Sequence, residues 1–238
     1  MLLLKQNGLF LIAFALLFII VNLLFPQHWF IKIIAPLICP DAVYFITTDK
    51  PLIALTIDDS PDAITTNKIL DVLAQHKVVA TFFPISNNIP ENKIIIDRIV
   101  NEGHKIGNHL TKDEPSIKLG TNFETELDKA HQILSDFTEI KWLRPGNGWC
   151  NKAMVKTVRK YNYQIALGSV WSYDTHIPSS SFASWFILAN TKPGSIIVLH
   201  DAGKRGARTV TTLKKIIPKL KQKGYRFVTL SELQNNYH

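Results

Sequence analysis

From Tyr44 onward, short runs rich in Val, Ile and Phe alternate with segments of helical spacing, and this alternation restricts the chain to parallel α/β architectures. The spacing predicts strands at Leu52–Ile57, Val78–Phe83, His104–Gly107, Ile140–Leu143, Gln164–Leu167, Ser195–Leu199 and Tyr225–Thr229. Between them it predicts helices over Thr65–Gln75, Asn92–Glu102, Asn122–Phe137, Lys152–Tyr161, Ser181–Ala189 and Thr209–Lys223. Gly103 suits the C-terminal cap of the second, and Pro218 should kink or interrupt the last. About seven strands with intervening helices fit either an open doubly wound sheet or a closed barrel. The polar residues discriminate further: Asp58 with Asp59, His109, Arg144, Asp174 and His200 each fall at or just past the C-terminal end of an expected strand. In a parallel barrel that edge carries the active site.

The sharpest local feature is Asp58-Asp59-Ser60-Pro61, which closes the apolar run Leu52–Ile57. Neighbouring side chains on a strand point to opposite faces, so two adjacent aspartates serve one site only if the pleat breaks there. Ser60-Pro61 is the expected break. Two carboxylates this close repel, and a cation or a shared proton resolves the repulsion. The alternative is a pair of aspartates capping the helix that follows.

Residues Leu9 to Phe25 carry no charge and a single strongly polar residue, Asn22. That length is the short end of a membrane span, and no small-residue cleavage site follows, so an uncleaved anchor is expected, with residues 1–43 as anchor and apolar linker and 44–238 as the folded domain. Lys5 and the amino terminus are the only positive charges before it, which places the domain outside the cytoplasm. Trp29 to Cys39 is apolar apart from Lys32, and it suits the membrane interface or the underside of the domain. Cys39 and Cys150 form one disulfide or remain two buried thiols; sequence separation does not choose. The net charge of +8 is concentrated, with nine Lys or Arg and no acidic residue between Lys204 and Arg226. A solvated helix face accounts for this, with an anionic surface as the sharper reading. Tyr225 is the one aromatic residue within the basic run, too few to interleave as a nucleic-acid groove would want, so no nucleic-acid partner is expected. Neither a phosphate-cradling glycine loop nor a serine elbow is present.

Five segments, in order, are Thr56-Ile-Asp-Asp-Ser-Pro61, Gly107-Asn-His-Leu-Thr-Lys-Asp113, Arg144-Pro-Gly-Asn-Gly148, Trp171-Ser-Tyr-Asp174 and Ile196-Ile-Val-Leu-His-Asp201. Together they resemble the five motifs of the polysaccharide deacetylases, carbohydrate esterase family 4, also called the NodB-homology domain, over roughly residues 50 to 235. The resemblance implies a distorted (β/α)7 barrel and a metal-dependent deacetylase acting on an acetylated glycan such as peptidoglycan or a chitin-like oligosaccharide. It implies Asp58 as general base, His200 as general acid and Arg144 as the residue that holds the base, a bidentate role suited to guanidinium. It also implies Asp59 and His109 as ligands of a divalent metal, zinc first, with cobalt, manganese or nickel as alternatives.

The chain departs from the pattern at two places. The family's second metal histidine is replaced by Asp113, which four residues beyond His109 can still reach the same ion. An Asp59, His109, Asp113 set suits zinc and also harder metals. The family's tyrosine in the third motif is Asn147 here, whose backbone N–H is the implied oxyanion donor. Trp171 and Asp174 match the fourth motif loosely as a pocket tryptophan and an acid-tuning aspartate, with His176 close by. Val198 takes the place of the residue facing the acetyl methyl, and Asp201 either orients His200 or caps the next turn. These departures keep open a second reading: a silent domain of the same fold that binds glycan or scaffolds an envelope assembly. A third is a different hydrolase on the same barrel, since fold alone does not fix chemistry.

Overall fold

The computed structural model of the chain describes residues 12–21 and 28–236. Strand β1 (Leu52–Asp58) is buried along its whole length and sits at the centre of the sheet. Its first half pairs with β8 (Arg226–Val228) and its second half with β2 (Thr81–Phe83), while β7 (Ile196–His200) runs along the other side. Outward from these lie β3 (Lys105–Ile106) beside β2 and β6 (Val170–Trp171) beside β7. A separate pair, β4 (Trp142–Leu143) with β5 (Gln164–Ile165), is linked to the rest by single parallel bridges, Asn108 to Leu143 and Val43 to Ala166. Every pairing between named strands is parallel, as continuous apolar runs buried on both faces predict. The expected seven-stranded barrel therefore takes the form of two parallel sheets stitched into an arc, with one more strand than the sequence suggests. That strand, Val170–Trp171, is two residues long, too short for periodicity to register.

Among the described residues from His28 onward, the α-helices are α1 (His28–Ile38), α2 (Thr65–Gln75), α3 (Lys93–Asn101), α4 (Phe123–Ser135), α5 (Lys152–Lys160), α6 (Ser180–Asn190), α7 (Gly203–Gln222) and α8 (Leu230–Gln234). Helix α7 begins six residues before the expected start and continues past Pro218 without a break, so of the expected kink or interruption the interruption does not occur. Its apolar stripe Leu213, Ile216, Ile217 and Leu220 is fully buried, so packing outweighs the hydrogen bond lost at proline. Lys214, Lys215, Lys219 and Lys221 stay exposed, which makes most of the basic run a solvated helix face. Helix α8 starts in a capping box between Thr229 and Glu232.

Of the apolar segment Leu9–Phe25, residues 12–21 are helical and the remainder lies outside the described residues. Among the described residues no helix is long and apolar enough to cross a membrane, so the expected span has no support there. Helix α1 packs under the domain: Ile31 and Cys39 are buried and His28 stacks on Phe45 at 3.9 Å, while Trp29, Ile33 and Leu37 face outward. Cys39 and Cys150 form a disulfide that ties this N-terminal helix to the loop before α5.

Candidate active site

The site grows from the register of β1 with β7, which sets Asp58 directly beside His200 at the C-terminal edge of the sheet. Asp59 then adopts a left-handed backbone (φ 68°), a conformation that aspartate tolerates better than most residues. This turn ends the strand's alternation and lets both carboxylates serve one edge. Helix capping does not occupy either of them. Asp62 performs that task, accepting from the backbone N–H groups of Ile64 and Thr65 at 2.9 and 2.8 Å.

Asp58 and Arg144 are both buried, and Nη1 of Arg144 donates to Asp58 Oδ1 at 2.7 Å. The same nitrogen donates to Thr56 Oγ1 at 2.7 Å, and Nε donates to the Ala166 carbonyl at 3.0 Å. The expected bidentate clamp is thus a single-nitrogen contact. The guanidinium carbon lies 4.2 Å from the centre of the Phe83 ring, and with Nε committed to the Ala166 carbonyl and the buried Nη2 without a hydrogen-bond partner among the described residues, only Nη1 meets Asp58. Gly107 makes the stack possible: a Cβ there would come within 2.3 Å of the Phe83 ring.

His200 is gripped by Asp174, which accepts from the imidazole Nδ1 at 3.0 Å with Oδ1 and from the His200 backbone N–H at 3.0 Å with Oδ2. Ser172 donates to Asp174 Oδ1 at 2.8 Å, and Arg208 donates to its backbone carbonyl at 2.9 Å. With Nδ1 donating, Nε2 is the free nitrogen and stands 4.0 Å from Asp58 Oδ2. Burial works to lower the His200 pKa, but the hydrogen bond and charge of Asp174, with Asp58 and Asp59 behind it, raise it to about 9. Asp174 is correspondingly held below the usual carboxylate range, its burial outweighed by His200 and Ser172. Asp201 does not orient His200. Its buried carboxylate accepts from the hydroxyls of Thr65 and Thr66, and from the Ala202 N–H at 2.7 Å, fastening the end of β7 to α2.

The other half of the site surrounds Asp59. Both of its carboxylate oxygens are buried and without a hydrogen bond among the described residues. Oδ1 lies 3.5 Å from His109 Nε2 and Oδ2 lies 3.1 Å from Arg205 Nη1, which are ion-pair contacts. His109 has its Nδ1 2.6 Å from the Arg144 carbonyl, which only accepts, so Nδ1 carries the proton and Nε2 faces Asp59. Burial opposes a charge on His109, but Asp59, Asp58 and the Arg144 carbonyl raise its pKa. Burial likewise works to raise Asp59, and His109, His200 and Arg205 reverse it, leaving the pKa lowered.

Asp59 and His109 fit a divalent ion: a buried carboxylate lacking hydrogen bonds beside an imidazole whose far nitrogen is fixed by a carbonyl is a ligand pair with its outer support in place. The expected third donor does not join them. Among the described residues no three of His, Cys, Asp and Glu form a set able to hold a metal. The Asp113 side chain is half exposed (51%) and accepts from Arg205 Nη2 at 3.1 Å. The loop carries it toward solvent while Asp59 and His109 stay buried. Asp59, Thr111, Asp113 and Arg205 line one cleft of about 360 Å³. A larger hollow of about 630 Å³, lined by His131, Trp142, Tyr161 and Gln164, lies toward the N-terminal ends of β4 and β5, away from these carboxylates.

The remaining expected residues are dispersed around this centre. Asn147 is exposed with a left-handed backbone (φ 61°), in a loop pinned by the Gly146 N–H donating to Ser116 Oγ at 2.7 Å. Trp171 is half-buried and packs edge-on against Tyr44, and its register partner Val198 is buried in the sheet. His176 is exposed and contacts Thr175 rather than the site.

The family of polysaccharide deacetylases, as a sequence model, matches residues 46–166. The chain belongs to the polysaccharide deacetylase family. It is thereby a hydrolase of carbon–nitrogen bonds other than peptide bonds. A peptidoglycan-N-acetylglucosamine deacetylase of Bacillus cereus is 35% identical over 198 residues, covering 81% of this chain and 92% of its own length. The solved structure of a peptidoglycan N-acetylglucosamine deacetylase in complex with a naphthalenyl N-oxidanyl-benzamide superimposes with a TM-score of 0.77 at 36% identity, covering 82% of this chain and 93% of that one. A family 4 acetyl xylan esterase from Clostridium thermocellum, solved with a cobalt ion, gives a TM-score of 0.68 at 30% identity, covering 77% and 90%.

Two contributors to this site are missing from the residues that the sequence analysis singles out. The ion pair of Arg205 with Asp59 was hidden inside a basic run that otherwise faces solvent; its only signal is a position five residues after His200, in the first turn of the helix. Thr56, alternating onto the same face as Asp58 two residues later, was readable from strand periodicity alone.

Proposed function

We propose that this chain removes N-acetyl groups from peptidoglycan or a related acetylated glycan, with the domain outside the cytoplasm and the apolar N-terminal segment holding it to the membrane. The observation that carries the chemistry is the facing pair Asp58 and His200, each fixed by its own opposite charge, Arg144 and Asp174. Asp58 is positioned to take a proton from an attacking water. His200, its pKa raised to about 9, is protonated at neutral pH and gives its proton to the departing sugar amine, so that acetate leaves and a free amine remains. Each such proton transfer accounts for roughly 10²–10⁴-fold of rate. Asp59 and His109 would hold a divalent ion, which supplies Lewis-acid polarisation of the acyl carbonyl. The Asn147 backbone N–H serves the developing oxyanion, a donor of a type worth roughly 3 kcal/mol, while Val198 and Trp171 shape the acyl pocket. The glycan assignment is supported by the relatives named as peptidoglycan deacetylases, and the export assignment by the Cys39–Cys150 disulfide, which persists in an oxidising compartment.

A silent glycan-binding domain is the second reading, favoured by one observation: Asp113 pairs with Arg205 instead of completing a ligand set. The full chain, stripped with chelator and resupplied with zinc, cobalt, manganese or nickel one at a time, separates the two. Acetate released from acetylated chito-oligosaccharides or peptidoglycan fragments with metal, and none without, is the expected result. Tight glycan binding with no acetate under any metal would replace the enzymatic reading by the second.

A further inference from the structure

Asp59 stands between two cations. One carboxylate oxygen faces His109 across 3.5 Å, and the other faces the Arg205 guanidinium across 3.1 Å. Arg205 arrives from the first turn of α7, which follows directly on β7 through Ala202 and Gly203, both with left-handed backbones (φ 80° and 52°). That tight reversal brings the first turn of the helix back over the sheet edge. The guanidinium is only 30% exposed, and its second terminal nitrogen donates to Asp113 at 3.1 Å. One planar fork therefore spans a buried carboxylate and a half-exposed one, a geometry that an ammonium group cannot reproduce with a single nitrogen. Asp59, Asp113 and Arg205 line the same cleft, so whatever reaches Asp59 from that side passes the guanidinium.

We propose that Arg205 is a built-in cation that competes with a divalent ion for Asp59, and that Asp113 is the seat of Arg205 rather than a ligand of the ion. This rests on the reading of Asp59 and His109 as metal-binding residues. A guanidinium and a divalent ion cannot both sit against Asp59 Oδ2 without strong repulsion, so one excludes the other. Without the ion, Arg205 supplies the countercharge that a buried carboxylate lacking hydrogen bonds requires. With the ion, Arg205 withdraws to Asp113, whose exposed position gives the displaced charge a partner at the cleft mouth. The replacement of a second histidine by aspartate thereby acquires a role: it holds the competitor. Metal occupancy in this chain then follows the free ion concentration closely.

The test is metal affinity, not activity. The chelator-stripped full chain is titrated calorimetrically with zinc, and separately with cobalt, in four forms: wild type, Arg205→Ala, Arg205→Lys and Lys204→Ala. Arg205→Ala is expected to bind at least about tenfold more tightly than wild type, with Arg205→Lys in between because a point charge cannot bridge both carboxylates. Lys204→Ala removes the same charge from an exposed neighbouring position and should change nothing. Stripped Arg205→Ala should also melt below stripped wild type, and the difference should vanish in excess metal. Equal affinities for wild type and Arg205→Ala overturn the proposal and leave the metal reading intact. A tightening by Lys204→Ala as large as that by Arg205→Ala overturns it too, since a general charge effect then suffices. No binding by any form removes the metal reading, and this proposal with it. If Arg205→Ala does not fold, the Arg205→Lys affinity decides alone.

Discussion

The two halves of the site are built on different supports. Asp58 and His200 are register partners in adjacent parallel strands, and their separation is fixed by the backbone ladder. Their partners Arg144 and Asp174 are both buried, from the end of β4 and just past β6. Every charge there meets an opposite charge or a hydrogen bond at 2.7–3.0 Å. The half around Asp59 draws on a left-handed turn, on two positions in the loop after β3 and on the first turn of a helix. The contacts of Asp59 itself are longer, 3.1–3.5 Å, and the outer member of this half, Asp113, is half in solvent. The geometry proposed for proton transfer is thus stored in the sheet before any ligand arrives, whereas the half proposed to bind a cation is held by a side chain, Arg205, reaching in from a helix.

The largest effect should come from breaking the preorganised half at its centre. Asp58→Asn removes the proposed base, leaves the shape of the carboxylate nearly unchanged and keeps an oxygen for Arg144. Turnover should fall on the order of 10⁴-fold, the upper end of what one positioned proton acceptor supplies. Metal affinity should stay within about threefold of wild type, because Asp58 does not share Asp59's contacts with His109 and Arg205. Acetate release in steady state and zinc titration by calorimetry check the two statements side by side. Loss of metal together with turnover would show that the halves are one unit and would dissolve the comparison.

A smaller effect sharpens it. Asp174→Asn keeps the shape around His200 and removes the charge that raises its pKa. For a histidine whose folded pKa is about 9 against an ordinary 6.5, the stabilisation is fully present below pH 6.5 and disappears as pH rises through 9. The variant should therefore lose stability below pH 6.5 and converge on wild type above 9, read as the urea midpoint at each pH. Its turnover should drop roughly 10–100-fold, the usual scale for a residue acting through another. The alkaline limb of the rate profile should move down from about 9 toward 6.5. His104 is the internal contrast. Burial lowers its pKa to about 4, and Nδ1 accepts from the Ala80 N–H at 3.1 Å, so its contribution is present above pH 6.5 and is lost as pH falls toward 4. A Asp174→Asn midpoint that tracks wild type at every pH would mean the His200 charge is held by something other than Asp174.

How far the sequence carries follows the same division. The double aspartate, His200 and Arg144 are legible because strand ends are marked by apolar runs, and a parallel sheet puts strand ends at one edge. Helix α2 matches its expected bounds, Thr65–Gln75, since its buried face is carried by Ile69, Leu70, Val72 and Leu73 at helical spacing. The strands at Lys105–Ile106 and Gln164–Ile165 are shorter than expected, because bridges such as Asn108 to Leu143 replace continuous pairing there. What spacing does not reveal is where a loop side chain turns. Asp113 stands four residues after His109, which on a helix would share its face. Here the intervening Leu110 is left-handed (φ 64°) and no helix forms, so the spacing argument loses its premise. The Cys39–Cys150 bond was equally beyond reach, since 111 residues separate the pair and only the packing of α1 under the domain brings them together.

The smallest effect is the one that decides what Asp113 is for. Its carboxylate is 51% exposed and its partner Arg205 is 30% exposed, a pair of the class that contributes about 0–1 kcal/mol. Asp113→Ala should therefore change the urea-derived stability by no more than about 1 kcal/mol. The informative quantity is zinc affinity, set beside that of Asp59→Ala and His109→Ala. If Asp59 and His109 are the donors this chain provides, both of those variants lose the ion and Asp113→Ala retains it within about threefold, a difference of less than 1 kcal/mol. A tenfold or greater loss at Asp113 that persists when Arg205 is also replaced by Ala would show that the loop swings inward when the ion arrives and supplies the third oxygen. The Asp59 half would then be as fully determined as the Asp58 half, completed by its ligand where the other is completed by its own arginine and aspartate.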